Sequence, residues 1–295
     1  MRTRKARRAR LLLAALLGAA LSACAPAASA TRPAGPTAEP VPVAASKSGS
    51  ATGSPAALST TAPSASQTGV QPMGATVPAA PAVVVLDPGH NGGNANHPGE
   101  IERLVPDGRG GAKACNSTGT ATNAGYAEHA FTFDVAKRVE AKLVAAGIRV
   151  VLTRPDDSGV GPCVDERGQA GERANAAAVV SIHADGTDAG DSGFHVALSD
   201  PPLGAAQQGP AHALGTALRD AMRKAGFHDA TYTGRDGIAP RPDLAGLNLA
   251  TRPTALVECA NMRNDAEARV VSSPEGRERY AIAITAGVLA FLGRP

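Results

Sequence analysis

Three short apolar runs in this chain, far apart in sequence, each break off on a side chain that can bind a metal or move a proton. Val83-Val84-Val85-Leu86 leads into Asp87-Pro88-Gly89-His90, Val179-Val180-Ser181-Ile182 into His183-Ala184-Asp185, and Ala255-Leu256-Val257 into Glu258. Runs of this length and β-branched content read as buried strands. Between them lie stretches of helical period: Glu128 to Ala145 carries Phe131, Val135, Val139 and Leu143 at four-residue steps, Ala211 to Lys224 reads as a second helix, and Pro274 to Leu292 as a closing one. Arg149 to Thr153 and Phe194 to Leu198 add two more strands. Strands alternating with helices predict an α/β layer architecture. In open α/β sheets ligands bind beyond the carboxyl ends of the strands, so Asp87 to His90, His183 and Glu258 are expected to converge on one crevice. The stretch from Asn91 to Tyr126, rich in Gly and Asn and without a clear period, predicts a long loop or hairpin insertion.

The chain of 295 residues is large enough for one globular domain with a substantial core. With no Trp and only 3% aromatics, a sugar-stacking groove or a nucleic-acid stacking platform is not expected. Six basic residues (Arg2, Arg4, Lys5, Arg7, Arg8, Arg10) crowd the first ten positions, so the formal +3 of the whole chain becomes −3 over the remaining residues. That mildly acidic body carries no basic stripe for DNA or RNA. The basic start is followed by Leu11 to Ala23, an apolar run too short for the ~20 residues that span a bilayer. Residues 1–24 therefore read as a signal peptide. The closing Leu21-Ser22-Ala23-Cys24 resembles a bacterial lipobox, which implies a lipid on the Cys24 sulfur and attachment to the membrane through it; cleavage after Ala28-Ser29-Ala30 is the alternative. From Ala25 to Pro81, 46 of 57 residues are Ala, Pro, Ser, Thr or Gly, a composition that cannot repay its ordering entropy. It predicts a disordered tether spanning roughly 40 Å or more, and the folded domain is expected over 82–295. An oxidising compartment favours one disulfide, and Cys115 with Cys163 is the favoured pair because both lie in loop-like, Gly-rich sequence. Cys259 is expected to be buried as a small apolar residue.

Two histidines, a glutamate and a water make the open four-coordinate set of a catalytic zinc. His90 and His183 are the candidate imidazoles. Glu128 opens the first helix, where a carboxylate is favourable against the helix dipole whatever its job, and His129 beside it is chemically as good a ligand. A further carboxylate must take a proton from the attacking water and pass it to the leaving group, and Glu258 suits that role. His97, His195, His212 and His228 read as structural or solvated. Arg154 and Arg167 are expected in structural ion pairs with Asp156, Asp157 or Glu166, and Asp87 is expected to brace the turn that aims His90.

Leu86-Asp87-Pro88-Gly89-His90-Asn91-Gly92, Glu128 at a helix start, Thr153-Arg154 with Asp157, Ser181-Ile182-His183-Ala184-Asp185, and Val257-Glu258 with Asn264 occur in one order over residues 82–295. Together they resemble the type 3 family of zinc-dependent N-acetylmuramoyl-L-alanine amidases. The resemblance implies a twisted, mixed and mainly parallel sheet flanked by helices on both faces, in a single catalytic domain. It also implies one zinc ion per chain held by His90, Glu128 and His183, Glu258 as the catalytic carboxylate, and hydrolysis of the bond between N-acetylmuramic acid and L-alanine in peptidoglycan or muropeptides. The expected protein is a monomer, extracytoplasmic, and lipid-anchored or secreted to the cell wall. Two segments depart from the usual residues of the family: Gly171-Glu172 implies a helix with a changed surface, and Cys259-Ala260-Asn261 puts the lining of the product side in question more than catalysis. A muropeptide-binding lipoprotein without catalysis, and a zinc peptidase acting within the stem peptide, are the two rival functions.

Overall fold

The computed structural model describes residues 81–294; the expected signal peptide, Cys24, nearly all of the expected tether, and Pro295 lie outside the described residues. The chain forms β1 (Val83–Pro88), α1 (Pro98–Ile101), β2 (Leu104–Pro106), β3 (Ala112–Ala114), α2 (Glu128–Ala145), β4 (Arg149–Leu152), α3 (Val164–Arg173) and β5 (Ala178–Asp185). It continues through β6 (His195–Ser199), α4 (Gly209–Lys224), β7 (Ile238–Arg241), α5 (Ala245–Asn248), β8 (Thr254–Asn261), α6 (Asp265–Ser272) and α7 (Pro274–Phe291). One six-stranded sheet has the order β4-β1-β5-β8-β6-β7. Every neighbouring pair in it is parallel except β6 with β8, which is antiparallel, so the sheet is mixed and mainly parallel, as expected.

Strand alternation sorts the sheet into two unlike faces. Leu86, Val180, Ile182, Val257, Val196 and Leu198 point to one side, where they pack against Phe131, Val135, Val139 and Leu143 of α2, Leu214, Leu218 and Met222 of α4, and Tyr280, Ile284 and Val288 of α7. Each such side chain contributes roughly 1.5–3 kcal/mol by leaving water, so this face carries most of the fold's stability. Three of the few aromatic rings meet there, Phe131 edge-on to Tyr280 at 5.7 Å and Phe227 stacked on Tyr280 at 4.2 Å. The other face is thinly covered. Val85 and Val179 meet Ala170 of α3, while Ala197 and Leu256 meet Leu247 of α5. Asp87, Ser181, His183, His195 and Glu258 fall on this second face by the same two-residue period.

The Asn91 to Tyr126 insertion holds α1 and the hairpin β2–β3. Cys115, directly after the hairpin, is joined to Cys163, the residue before α3, by the expected disulfide, and Cys259 is buried and free. The bridge ties the insertion to the thinly covered face.

Candidate metal centre

The turn after β1 places the first imidazole. His90 has φ 56, the left-handed region that costs a non-glycine residue of order 1–3 kcal/mol and persists only where neighbours over-determine it. Two buried arginines supply that constraint. Arg167 donates to Asp87 Oδ1, Pro88 O and His90 O, each at 2.7 Å, and Arg154 donates to Pro88 O at 3.0 Å and His129 O at 2.8 Å. Gly89 lies flat against the second imidazole, since a Cβ there would stand 2.2 Å from His183 Cε1.

His183 comes from the end of β5 and Glu128 from the first turn of α2. Glu128 Oε2 lies 3.1 Å from His90 Nε2, and Oε1 lies 3.0 Å from His183 Nδ1. One ligating atom from each of the three residues falls within 4.8 Å of the others, close enough for one ion to reach all three. His90 Nδ1 donates to Ser117 O at 3.1 Å, which orients the ring so that Nε2 faces Glu128. Thr120 N and Ala184 N donate to the two oxygens of Glu128 at 2.9 and 3.2 Å. Gly119, at φ +76, closes over the group; a Cβ there would meet both Glu128 Oε2 and His90 Cδ2 at 2.8 Å.

The electrostatics fit a cation at the centre. Burial pushes the Glu128 carboxyl up, yet the two imidazoles outweigh it and hold the group below the usual carboxylate range. Burial pushes His90 down, and Glu128 outweighs that in turn and raises it. Two imidazoles and one carboxylate, with a fourth side left to the cleft, are the donor set of an open zinc site. His129, the alternative ligand, turns away, with Nδ1 2.8 Å from Asp157 Oδ2.

Glu258 pairs in register with His183 across β5 and β8, so the two side chains stand next to each other on one face. Its Oε2 is buried without a hydrogen-bond partner. Burial pushes its carboxyl well up, and Asp185 and Glu128 add to this against Arg241. The four residues line a cleft of about 440 Å³ that runs along β5 and β8 to Val179 and Leu256.

The structure corrects some of the sequence expectations. Arg154 does pair with Asp157, at 2.8 Å, but Arg167 pairs with Asp87 rather than with Asp156, Asp157 or Glu166. Glu166 instead accepts from Cys163 N at the start of α3. Asp87 braces the turn as expected, through that arginine. His195, read as structural or solvated, lies beside Glu258 on β6 with Asp185 and Tyr232 around it.

A mainly parallel sheet with polar side chains at three strand ends, set against a two-histidine, one-glutamate cluster that could hold a metal ion, has the layout of an α/β hydrolase. Residues 84–290 match the family model described as N-acetylmuramoyl-L-alanine amidase, and the chain belongs to that family, the type 3 amidases. An N-acetylmuramoyl-L-alanine amidase of Mycobacterium tuberculosis is 48% identical over 210 residues, covering 71% of this chain and 86% of that one. The crystal structure of the amidase Ami1 from Mycobacterium smegmatis is 50% identical with a TM-score of 0.70, covering 72% of this chain and 97% of that one. The apo form of Ami1 from Mycobacterium abscessus is 47% identical, also with a TM-score of 0.70, covering 72% and 100%.

Proposed function

We propose that this protein is a zinc-dependent amidase that hydrolyses the bond between the lactyl group of N-acetylmuramic acid and L-alanine in peptidoglycan or its fragments. The observation that carries the reading is the closure of His90, Glu128 and His183 around one point with Glu258 beside it. A zinc ion held by those three residues would polarise the scissile carbonyl and make a water nucleophilic near neutral pH. Glu258 accepts the proton of that water as the C–O bond forms, then returns it to the L-alanine nitrogen as the C–N bond breaks. The products are a lactyl carboxylate on intact sugar and a stem peptide with a free amino terminus. Backbone donors from Thr120 and Ala184 keep Glu128 fixed while this happens.

A lipid on Cys24, with the Ala-, Pro-, Ser- and Thr-rich segment after it, would hold the domain outside the membrane and raise its concentration at nearby wall. The unpartnered Glu258 oxygen in the cleft speaks against a binding-only lipoprotein, which has no use for a buried carboxyl beside the ligands.

The test is mass spectrometry of muropeptides treated with the zinc-loaded chain and with Glu258→Gln. Free L-alanine amino termini and intact sugars are expected from the first, and a rate lower by about 10²–10⁴-fold from the second with zinc still bound. L-alanine left on the sugar with shortened peptides would establish the peptidase, and no cleavage at all the binder. Metabolic labelling with a fatty acid, with Cys24→Ser as control, tests the anchor.

A further inference from the structure

His195 is buried to 1% exposure, yet neither ring nitrogen has a hydrogen-bond partner. Each buried polar atom left so costs roughly 1–3 kcal/mol. An apolar side chain in the same place would avoid that cost. His195 is the register partner of Glu258 on the antiparallel pair β6–β8, as His183 is on the parallel pair β5–β8. Glu258 thus stands between two imidazoles on three adjacent strands, one in the ligand cluster and one outside it. Directly opposed residues of an antiparallel pair have Cβ atoms about 4.5–5.5 Å apart, which brings the His195 ring within reach of the Glu258 carboxyl.

The buried atoms without partners on this face are complementary. Glu258 Oε2 lacks a donor, and His195 has nitrogens with nothing to bond. Asp185 and Tyr232 flank the ring: Asp185 Oδ2 lies 3.7 Å from His195 Nδ1 and accepts the Tyr232 hydroxyl at 2.7 Å, and the Tyr232 ring stands edge-on to the imidazole at 6.0 Å. At 3.7 Å Asp185 stands beyond hydrogen-bond distance of His195.

We propose that His195 is a positioning residue for Glu258: in the working enzyme one of its ring nitrogens hydrogen-bonds the Glu258 carboxyl and holds it in the rotamer that faces the scissile bond. The proposal rests on the amidase reading above. Outer partners that orient a working side chain typically change rates by 10–100-fold when removed. A structural histidine would instead act through stability.

Two substitutions separate these roles in the full zinc-loaded chain. His195→Phe keeps the ring and its burial but removes both nitrogens; His195→Gln keeps a polar group able to donate and accept. Release of L-alanine amino termini from muropeptides gives kcat and KM, with zinc content and thermal midpoint measured beside them. For His195→Phe we expect kcat lower by roughly 10–100-fold, KM within about twofold, full zinc content and an unchanged or higher midpoint. His195→Gln should recover kcat to within about fivefold of wild type. In a Glu258→Gln background, His195→Phe should change the residual rate no further, because the group it positions is gone. Should the Phe ring not fit, His195→Met repeats the test with an adaptable side chain. Wild-type kcat in the apolar variant, or a Gln variant as slow as the apolar one, overturns the positioning role. A wild-type chain that releases no L-alanine termini overturns the amidase reading itself and the proposal with it.

Discussion

Arg167→Met is the substitution from which the structure predicts the largest single effect outside the metal cluster. All five N–H groups of Arg167 are used: Nε on Pro162 O at 2.9 Å, Nη1 on Asp87 Oδ1 and Pro88 O at 2.7 Å, and Nη2 on His90 O at 2.7 Å and Gly161 O at 2.9 Å. Met matches the stem but leaves Asp87 buried with no counter-charge, and removing one member of a buried ion pair costs about 3–5 kcal/mol. Asp87 keeps the Thr153 and Ser181 hydroxyls at 2.6 and 2.7 Å, which argues for the lower half of that range. For a domain of this size each kcal/mol moves the midpoint by about 2–4 °C, so calorimetry should record a drop of roughly 6–16 °C. The His90 turn also loses its anchor, so zinc affinity should fall.

The pH dependence gives a sharper check on the same variant. Burial pushes Asp87 up, but Arg167, Thr153 and Ser181 outweigh it and hold its carboxyl below the usual range. A group lowered on folding adds stability above its unfolded pKa and loses it as pH falls through the folded value. The gap between wild type and Arg167→Met should therefore be widest near neutral pH and narrow in acid. Adding Asp87→Asn to Arg167→Met should restore at least about 1 kcal/mol, since no charge is then left unpaired. A loss under about 1 kcal/mol, or a gap that widens in acid, would refute the reasoning.

Three further outcomes are expected. Chelation should abolish activity and lower the midpoint, and zinc at 100 times its Kd should return about 2.7 kcal/mol of stability, seen as a midpoint rise of about 5–11 °C. Gly89→Ala should leave the sheet folded by circular dichroism yet weaken zinc binding at least about tenfold by calorimetry, because its Cβ would stand 2.2 Å from the His183 ring and displace a ligand. Replacing Cys115 and Cys163 together with Ser should cost about 4 kcal/mol in denaturant unfolding, the entropy of closing a loop of 48 residues.

The parts of this fold written in the sequence are those with strong periods. The helix expected over Glu128 to Ala145 is α2 residue for residue, since four apolar side chains at four-residue steps mark both its face and its extent. The strands at Val83, Ala178 and Ala255 were also legible, but each runs past its apolar stretch: β5 continues through His183 to Asp185 and β8 through Glu258 to Asn261. Hydropathy stops where the site begins, because ligands are polar though their backbone stays paired. Short elements such as α5 and β7 carried no usable period, and the Arg167–Asp87 pair spans 80 positions that nothing local connects. Burial of His195 follows from strands β6 and β8 lying side by side in opposite directions, a fact of topology rather than of composition.

The uneven covering of the sheet explains why the site sits where it does. Along β8, Val257 and Cys259 point into the helical core while Leu256 and Glu258 point to the cleft, so adjacent residues serve stability and chemistry in turn. A face sealed by three long helices could not spare room for a polymer's reacting bond. A face left to α3, α5 and the disulfide-tied insertion can, but it forfeits the apolar burial that would fix its side chains. Arg154 and Arg167 supply that fixing by hydrogen bonds instead, holding the β1 turn to carbonyls and carboxylates where the opposite face uses hydrocarbon. Directed bonds hold a strained turn to a tighter geometry than dispersion contacts do, which is what a histidine at φ 56 requires.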